Sequence, residues 1–586
     1  MLIYGDVTRS ERADALCAAI AAQLRELEHR QPGIERHAAL VGILLKAGEL
    51  VQGLSDIEFE KVAGDDLSAR REIGGLVLLD LARLVVRSWR QGLAGPLTVP
   101  PRVTALLPDL RAPFSLSIKE AEGYSFYALY PESYVEAAVR SGLTANATVI
   151  GIRSIGTSLS AVVAASIGAT GPVTLRPTGP PFQRRVTVAS RLSRWLLRDP
   201  AANFAIVDEG PGLSGSSFGS IADWLHDHGV DDKRIHFFPG HKGELGPESS
   251  CRHRQRWVAS PRHVVDVDDL LLEAAHPPCR LASWVGDLVG PLERPLEDVS
   301  AGAWRNALHG DHHASPPVDR RFERRKFLAH TADDIWLVKF AGLGDAGQRK
   351  LAKARLLAEA GFTPPVAGLC HGFLVEKWMA ARSAAPSEFR HAAFIHHLGR
   401  YLTFRARRLP LPVTAGASLS KLCEMAMVNT EEALGAAAAS RLRGLICGAE
   451  RYDRLVQPVD TDNRLHRWEW LAGGERGFLK ADALDHSAAH DLVGCQDIAW
   501  DLAGASIEFG LSMQESADLR AVVSEGCSRA VNAELVAILE LCYLAFQLGM
   551  WISARSAAAA EEVPRLEAVA SRYAELLLRR IERDSV

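Results

Sequence analysis

Between residues 147 and 238 the chain alternates short apolar runs with single amphipathic helices, and few architectures accept that rhythm. "ATVIGI" (147–152), "VTL", "RVTV", "NFAIV" (203–207) and "RIHFF" (234–238) read as short strands. Leu159, Val162 and Val163 mark a helix that ends near Gly168, and Phe218, Ile221 and Leu225 mark another that ends near Gly229. Strands of this length separated by single helices predict a parallel, doubly wound α/β sheet. Ligands of such sheets bind at the carboxyl ends of the strands.

The remainder of the 586 residues exceeds one ordinary core and predicts further domains. Residues 1–115 form an Ala/Leu/Arg-rich helical region, with Leu16, Ile20, Leu24 and Leu27 on one stripe. Residues 116–275 hold the sheet. A linker is expected over 276–320, where Pro277, Pro278, Pro291, Pro295, Pro316 and Pro317 fall with little periodicity. Residues 321–380 look strand-rich and the rest mostly helical. A net charge of -4 argues against a nucleic-acid partner. The apolar stretch at 74–89 is broken by Asp80, Arg83 and Arg87, so no membrane span is expected. Nine scattered cysteines without a CxxC pair, and a charged N-terminus, predict a cytoplasmic protein with reduced thiols.

Asp208 and Glu209 end the fourth run and lead into a glycine/serine turn, Gly210 to Ser217, that opens a helix. Free backbone N–H groups and the dipole of a helix N-terminus suit a phosphate. Ser214, Ser216 and Ser217 add hydroxyls, and Gly212 and Gly215 allow close approach. Two carboxylates beside a phosphate loop make sense when a ribose lies between, its vicinal hydroxyls donating to the acids and a Mg2+ ion screening the remaining charge. A P-loop-like NTP site is the alternative, because Gly210 to Ser217 spells GxxxxGSS without the usual lysine.

This motif resembles the phosphoribosyl-pyrophosphate motif of type I phosphoribosyltransferases, with Gly212-Leu213 where Thr-Thr usually stands. The resemblance implies a ribose held by Asp208 and Glu209 and a 5′-phosphate held by residues 212–217. It also implies a pyrophosphate loop at Arg153, Ser154, Ile155 and Gly156, and a mobile loop at 175–186 whose Arg176, Arg184 and Arg185 meet phosphate oxygens. The implied activity is Mg2+-dependent transfer between phosphoribosyl pyrophosphate and a nucleobase or amine acceptor, in a possible homodimer. The implied catalytic residues are Asp208, Glu209 and Arg176.

The second half has a strand ending at Lys339, an amphipathic helix, and a strand "GFLVEKWM" (372–379). This order resembles the small lobe of aminoglycoside phosphotransferase-like kinases, a kinase-like α+β fold. The resemblance implies that Lys339 holds nucleotide phosphates, that Glu376 to Trp378 form the hinge to adenine, and that Asp462 and Asp482 are the catalytic-loop and metal-binding acids. Asp497 and Asp501 match the family's later acid pair, and ATP is the implied ligand. Departures are plain: Glu359 falls late for a lysine partner, no glycine-rich loop precedes Lys339, and Arg467 stands where a metal-binding Asn is expected. A fixed charge at 467 would disfavour Mg2+. "HGDHH" (309–313) reads as solvated linker. A non-catalytic sensor that binds a phosphoribosyl or nucleotide ligand is the competing expectation to a transferase.

Overall fold

Strands β1 (Thr8–Arg12) and β2 (Ser115–Lys119) pair antiparallel, so the first hundred residues begin and end at one place. The computed structural model describes every residue except 1–7, 213, 247, 308–314, 380–381, 384–386, 391, 413, 473–476, 487–491 and 585–586. The "HGDHH" segment therefore lies outside the described residues.

The expected parallel sheet forms from β3 (Thr148–Ile152), β4 (Val173–Leu175), β5 (Phe204–Val207) and β6 (Ile235–Phe238), in the order β4-β3-β5-β6. Both faces are covered, which is why the strands read as continuous apolar runs. Val149, Ala205, Val207 and Phe238 pack into one core with the helices Ile34–Val62, Ala69–Arg90 and Gly156–Ile167. Ile150, Ile206 and Phe237 face a second core with Phe218, Leu225 and Trp257. "RVTV" is not a strand of this sheet. Its backbone is stitched to Asp65 instead: Asp65 N–H donates to the Thr187 carbonyl at 2.8 Å, and Ala189 N–H donates to the Asp65 carbonyl at 2.9 Å.

A five-stranded antiparallel sheet follows: β7 (Glu297–Asp298), β8 (Lys326–His330), β9 (Ile335–Phe340), β10 (Val366–Cys370) and β11 (Phe373–Lys377), in the order β10-β11-β9-β8-β7. The helix Gly344–Glu359 joins β9 to β10. Phe327, Val338, Phe340, Phe373 and Val375 point to its back face and enter the first core. Lys326, Leu337, Lys339, Leu374 and Glu376 alternate with them and point the other way. The proline-rich stretch at 276–320 is more than a spacer. It carries the helix Leu281–Val289, which buries Trp284 and Val285 in the same core, and it supplies β7. That core runs from Ala13 to Val375, so the helical region, the parallel sheet and the back of the lysine sheet pack as one body.

A helical lobe completes the chain around a three-stranded sheet of β12 (Arg382–Ser383), β13 (Trp470–Ala472) and β14 (Phe478–Lys480). Its core is built on Trp470, Trp500, Tyr543, Trp551 and Tyr573. Two helices, Ile34–Val62 and Ala533–Ser556, are long and apolar enough to cross a membrane. Here 67% and 83% of those apolar windows are buried inside the protein, so they serve as core helices.

Candidate functional site

The order β4-β3-β5-β6 places a topological switch point between β3 and β5, and the two loops singled out in the sequence leave the sheet side by side there. Gly151 pairs with Val207, so the Arg153–Gly156 turn and the Asp208–Ser217 loop are neighbours. A side chain at Gly156 would meet the Val207 carbonyl at 2.4 Å, so this close strand-to-helix approach requires glycine. Glu209 accepts from the Gly123 N–H at 3.0 Å, and Tyr134 donates to the Asp208 carbonyl at 2.7 Å. Burial, then the adjacent Glu209 charge, hold Asp208 well above the usual carboxylate range against the pull of Arg184 and Arg176. The helix Ser216–Asp227 starts at the serine loop. Gly212 and Gly215 both take positive φ, 59° and 62°. Ser214 and Ser216 hydroxyls lie 2.9 Å apart, and Ser216 donates to the Pro181 carbonyl. Arg184 reaches Ser217 at 3.3 Å. The exposed 178–185 hairpin thus rests on the serine loop, and a phosphate there would have to displace the Pro181 carbonyl.

Of the arginines expected to meet phosphate, Arg153 and Arg176 are engaged by acids of the helical region. Arg153 is 4% exposed and pairs with Asp65 and, at 3.1 Å, with Asp56. Arg176 binds Asp56 through its Nε at 2.9 Å, and its backbone N–H donates to Asp65 at 2.8 Å. Asp65, fully buried, also pairs with Arg71 at 2.7 Å. Residues 1–115 therefore reach into the sheet site as its counter-ions. Ser154 and Ile155 turn instead toward a small cavity shared with Arg9, Glu49 and Arg349.

In the second half, Lys339 and Asp482 meet across 143 residues at 2.6 Å. Lys339 also lies 3.7 Å from Asp485, which binds Arg324 at 3.1 Å and Lys350 at 3.4 Å. Lys350 is on the helix Gly344–Glu359, so that helix presents a lysine toward the site; Glu359 is exposed at its end. The expected lysine–glutamate pair is thereby replaced by Lys339–Asp482. Burial lowers Lys350 to about 8 and raises Glu376 to about 7. Beside Lys339 opens a largely apolar pocket of about 130 Å3, lined by Leu337, Glu376, Trp378, Met379, Leu471 and Asp482. The β8–β9 turn is Thr331–Asp334, without glycine, and Asp334 is tied to Lys377 at 2.6 Å.

Asp462 is buried and already neutralised. Tyr401 donates to one oxygen, with Arg405 at 3.5 Å; the other oxygen lies 3.5 Å from both Lys480 and His486. Burial would raise this carboxyl, but Lys480, His486 and Arg405 outweigh it and hold it far below the usual range. Asp501 accepts the backbone N–H groups of Asp462 and Asn463 at 2.8 and 2.9 Å, which fixes this loop. Asp497 caps the helix Ile498–Phe509 and pairs with Arg529. His486 lies between the two expected acids, with Nδ1 3.5 Å from Asp462 and Nε2 3.4 Å from Asp482. Burial opposes its protonation, but Glu469 and Asp482 prevail and raise it above an ordinary histidine. Lys480 also binds Glu469 at 2.5 Å. A Mg2+ ion therefore does not fit these donors as they stand, since each carboxylate already holds a cation of the protein. The sequence-based reason was different: Arg467 turns away and donates to the Glu508 carbonyl at 2.5 Å. His486, Asp485, Lys350 and Arg405 were not singled out from sequence; only Asp485, three residues after Asp482, carried a visible signal.

No family model and no curated protein matches this chain. Among solved structures it is similar to choline kinase LicA from Streptococcus pneumoniae, with a TM-score of 0.31, 16% identity, and 43% of this chain and 89% of that one covered. It is similar too to a choline/ethanolamine kinase family protein from Mesorhizobium loti, with a TM-score of 0.29, 15% identity, and 50% and 94% covered. Spectinomycin phosphotransferase APH(9)-Ia gives 0.31, 12%, 50% and 94%. At these scores the likeness adds nothing to the geometry, which stands by itself.

The acid–arginine linkage makes a stability prediction. Asp65→Ala leaves Arg153 buried without its closest counter-ion and should destabilise the protein by about 3–5 kcal/mol in urea unfolding. A loss below about 1 kcal/mol would show that the linkage does not hold the helical region to the sheet.

Proposed function

We propose that the second half binds a nucleotide without a divalent ion and does not transfer its phosphate. The observation that carries this reading is His486 between Asp462 and Asp482, with Lys339 on the latter. The base would enter the apolar pocket by Trp378 and Met379, as far along β11 as the expected hinge, and the phosphates would point to Lys339. Phosphoryl transfer relies on metal ions and a free carboxylate near the nucleophile. Asp462 has both oxygens occupied, so it acts as a hub that orders its loop. This favours a binding or sensing role over a kinase.

A second reading concerns the parallel sheet. The Arg153–Gly156 and Asp208–Ser217 loops meet at the switch point, which supports a ribose-phosphate ligand such as phosphoribosyl pyrophosphate there. Pentosyl transfer to a nucleobase or amine would further require that the 178–185 hairpin release Ser216 and that Arg176 leave Asp56. We read this site too as one that binds before it turns over.

Two measurements test these readings. In calorimetric titration of ATP, Lys339→Ala should weaken binding about tenfold or more, the loss of a charged hydrogen bond. His486→Ala removes one cation from each acid but leaves Lys480 and Arg405 on Asp462 and Lys339 on Asp482, so ATP binding should stay independent of Mg2+. Unchanged affinity in the first variant would remove the cleft assignment. For the sheet, Asp208→Asn with Glu209→Gln should weaken phosphoribosyl-pyrophosphate binding by at least about tenfold with the fold intact; equal binding would remove the ribose from these acids.

A further inference from the structure

Behind the lysine sheet, three side chains from three parts of the chain converge. His37 comes from the helix Ile34–Val62, Glu132 from the helix Pro131–Arg140, and His371 from the β10–β11 turn. His37 Nε2 lies 2.7 Å and His371 Nε2 2.8 Å from the same Glu132 oxygen, Oε1. The side chains are 0%, 0% and 1% exposed. Trp89 packs on His37, and Trp284 and Tyr130 pack on His371, so the surroundings are aromatic and dry.

Hydrogen bonding alone leaves this cluster incomplete. Both imidazoles address Oε1, and Oε2 of Glu132 is buried without a partner. A carboxylate oxygen in that state forfeits its solvation for nothing. Ser88 Oγ sits 2.9 Å from His37 Nδ1, the outer-sphere contact that fixes the ring and directs Nε2 inward.

We propose that His37, Glu132 and His371 form a buried metal centre for a zinc-class divalent ion. Two imidazole nitrogens and both oxygens of one carboxylate supply four donor atoms, a four-coordinate set that the narrow bite of the carboxylate distorts from a tetrahedron and that suits a borderline ion. The ion uses the orphan Oε2 and cancels the carboxylate charge. The imidazole nitrogens, now 2.7 and 2.8 Å from Oε1, would move out by about half an ångström to take metal–ligand bonds of ~2.0–2.2 Å. The centre is sealed, so it loads during folding and pins the helical region, the parallel-sheet half and the lysine sheet together at one point.

The test uses the full chain, expressed with zinc and purified without chelator. Elemental analysis should find about one zinc per chain. Protein expressed with cobalt should show the visible absorption of four-coordinate Co2+, altered in Glu132→Gln and absent in His371→Ala. Ser88→Ala should keep the metal but release it to a chelator about tenfold faster. Less than about a tenth of an equivalent of any divalent metal in wild-type protein would overturn the proposal. So would metal content and cobalt absorption unchanged in Glu132→Gln, a near-isosteric variant that keeps the test open should His371→Ala fail to fold.

Discussion

A charge carried out of water must meet its opposite within a few ångström, and the folded chain is organised around that demand. Lys339 lies on a strand whose alternate residues build the back core, so its ammonium is committed to the cleft. Burial alone would lower it, but Asp482 and Asp485 reverse the sign and hold it above an ordinary lysine. The same pairing recurs at Asp462 with Lys480, Arg405 and His486, and at Asp65 with Arg153 and Arg71. Each of these carboxylates is satisfied by the protein's own cations. Among the described residues, Asp462 and Asp482 each hold cations of the protein, and on that pairing rests the proposed metal-free reading of the cleft.

The pairing also explains how the parts hold together. The helical region supplies Asp56 and Asp65 to the arginines of the parallel sheet. The lysine helix reaches back to the first half: Lys350 donates to the Ser125 carbonyl at 3.1 Å and lies over Phe126. Tyr130 donates to the His371 carbonyl at 2.7 Å. Lys339 is thereby connected through Asp485 and Lys350 to the Ser125 carbonyl of the first half.

Much of the backbone was legible because it follows from periodicity. The buried parallel strands announced themselves as apolar runs, and β9 and β11 by their order around Lys339 and the intervening helix. The Asp208–Ser217 and Lys339–Asp482 constellations were visible as residue types at characteristic intervals. What stayed hidden was pairing. Nothing local in "RSIG" says that Arg153 turns to Asp65, 88 residues earlier. Nothing in "LDHS" says that His486 will stand between two acids. "RVTV" misled because β propensity is satisfied by any extended partner, and here the partner was the Asp65 backbone. The proline-rich stretch misled because Trp284 and Val285 occupy only one face of a short helix, too brief for periodicity to register.

The central claim is that protein cations have taken the place of the metal in the C-terminal cleft. Calorimetric titration of the wild-type protein with ATP, once in excess Mg2+ and once in excess chelator, measures it directly. The account predicts binding of the same affinity, within about twofold, in both conditions. Binding that appears only with Mg2+, or no binding at millimolar ATP in either condition, would contradict it.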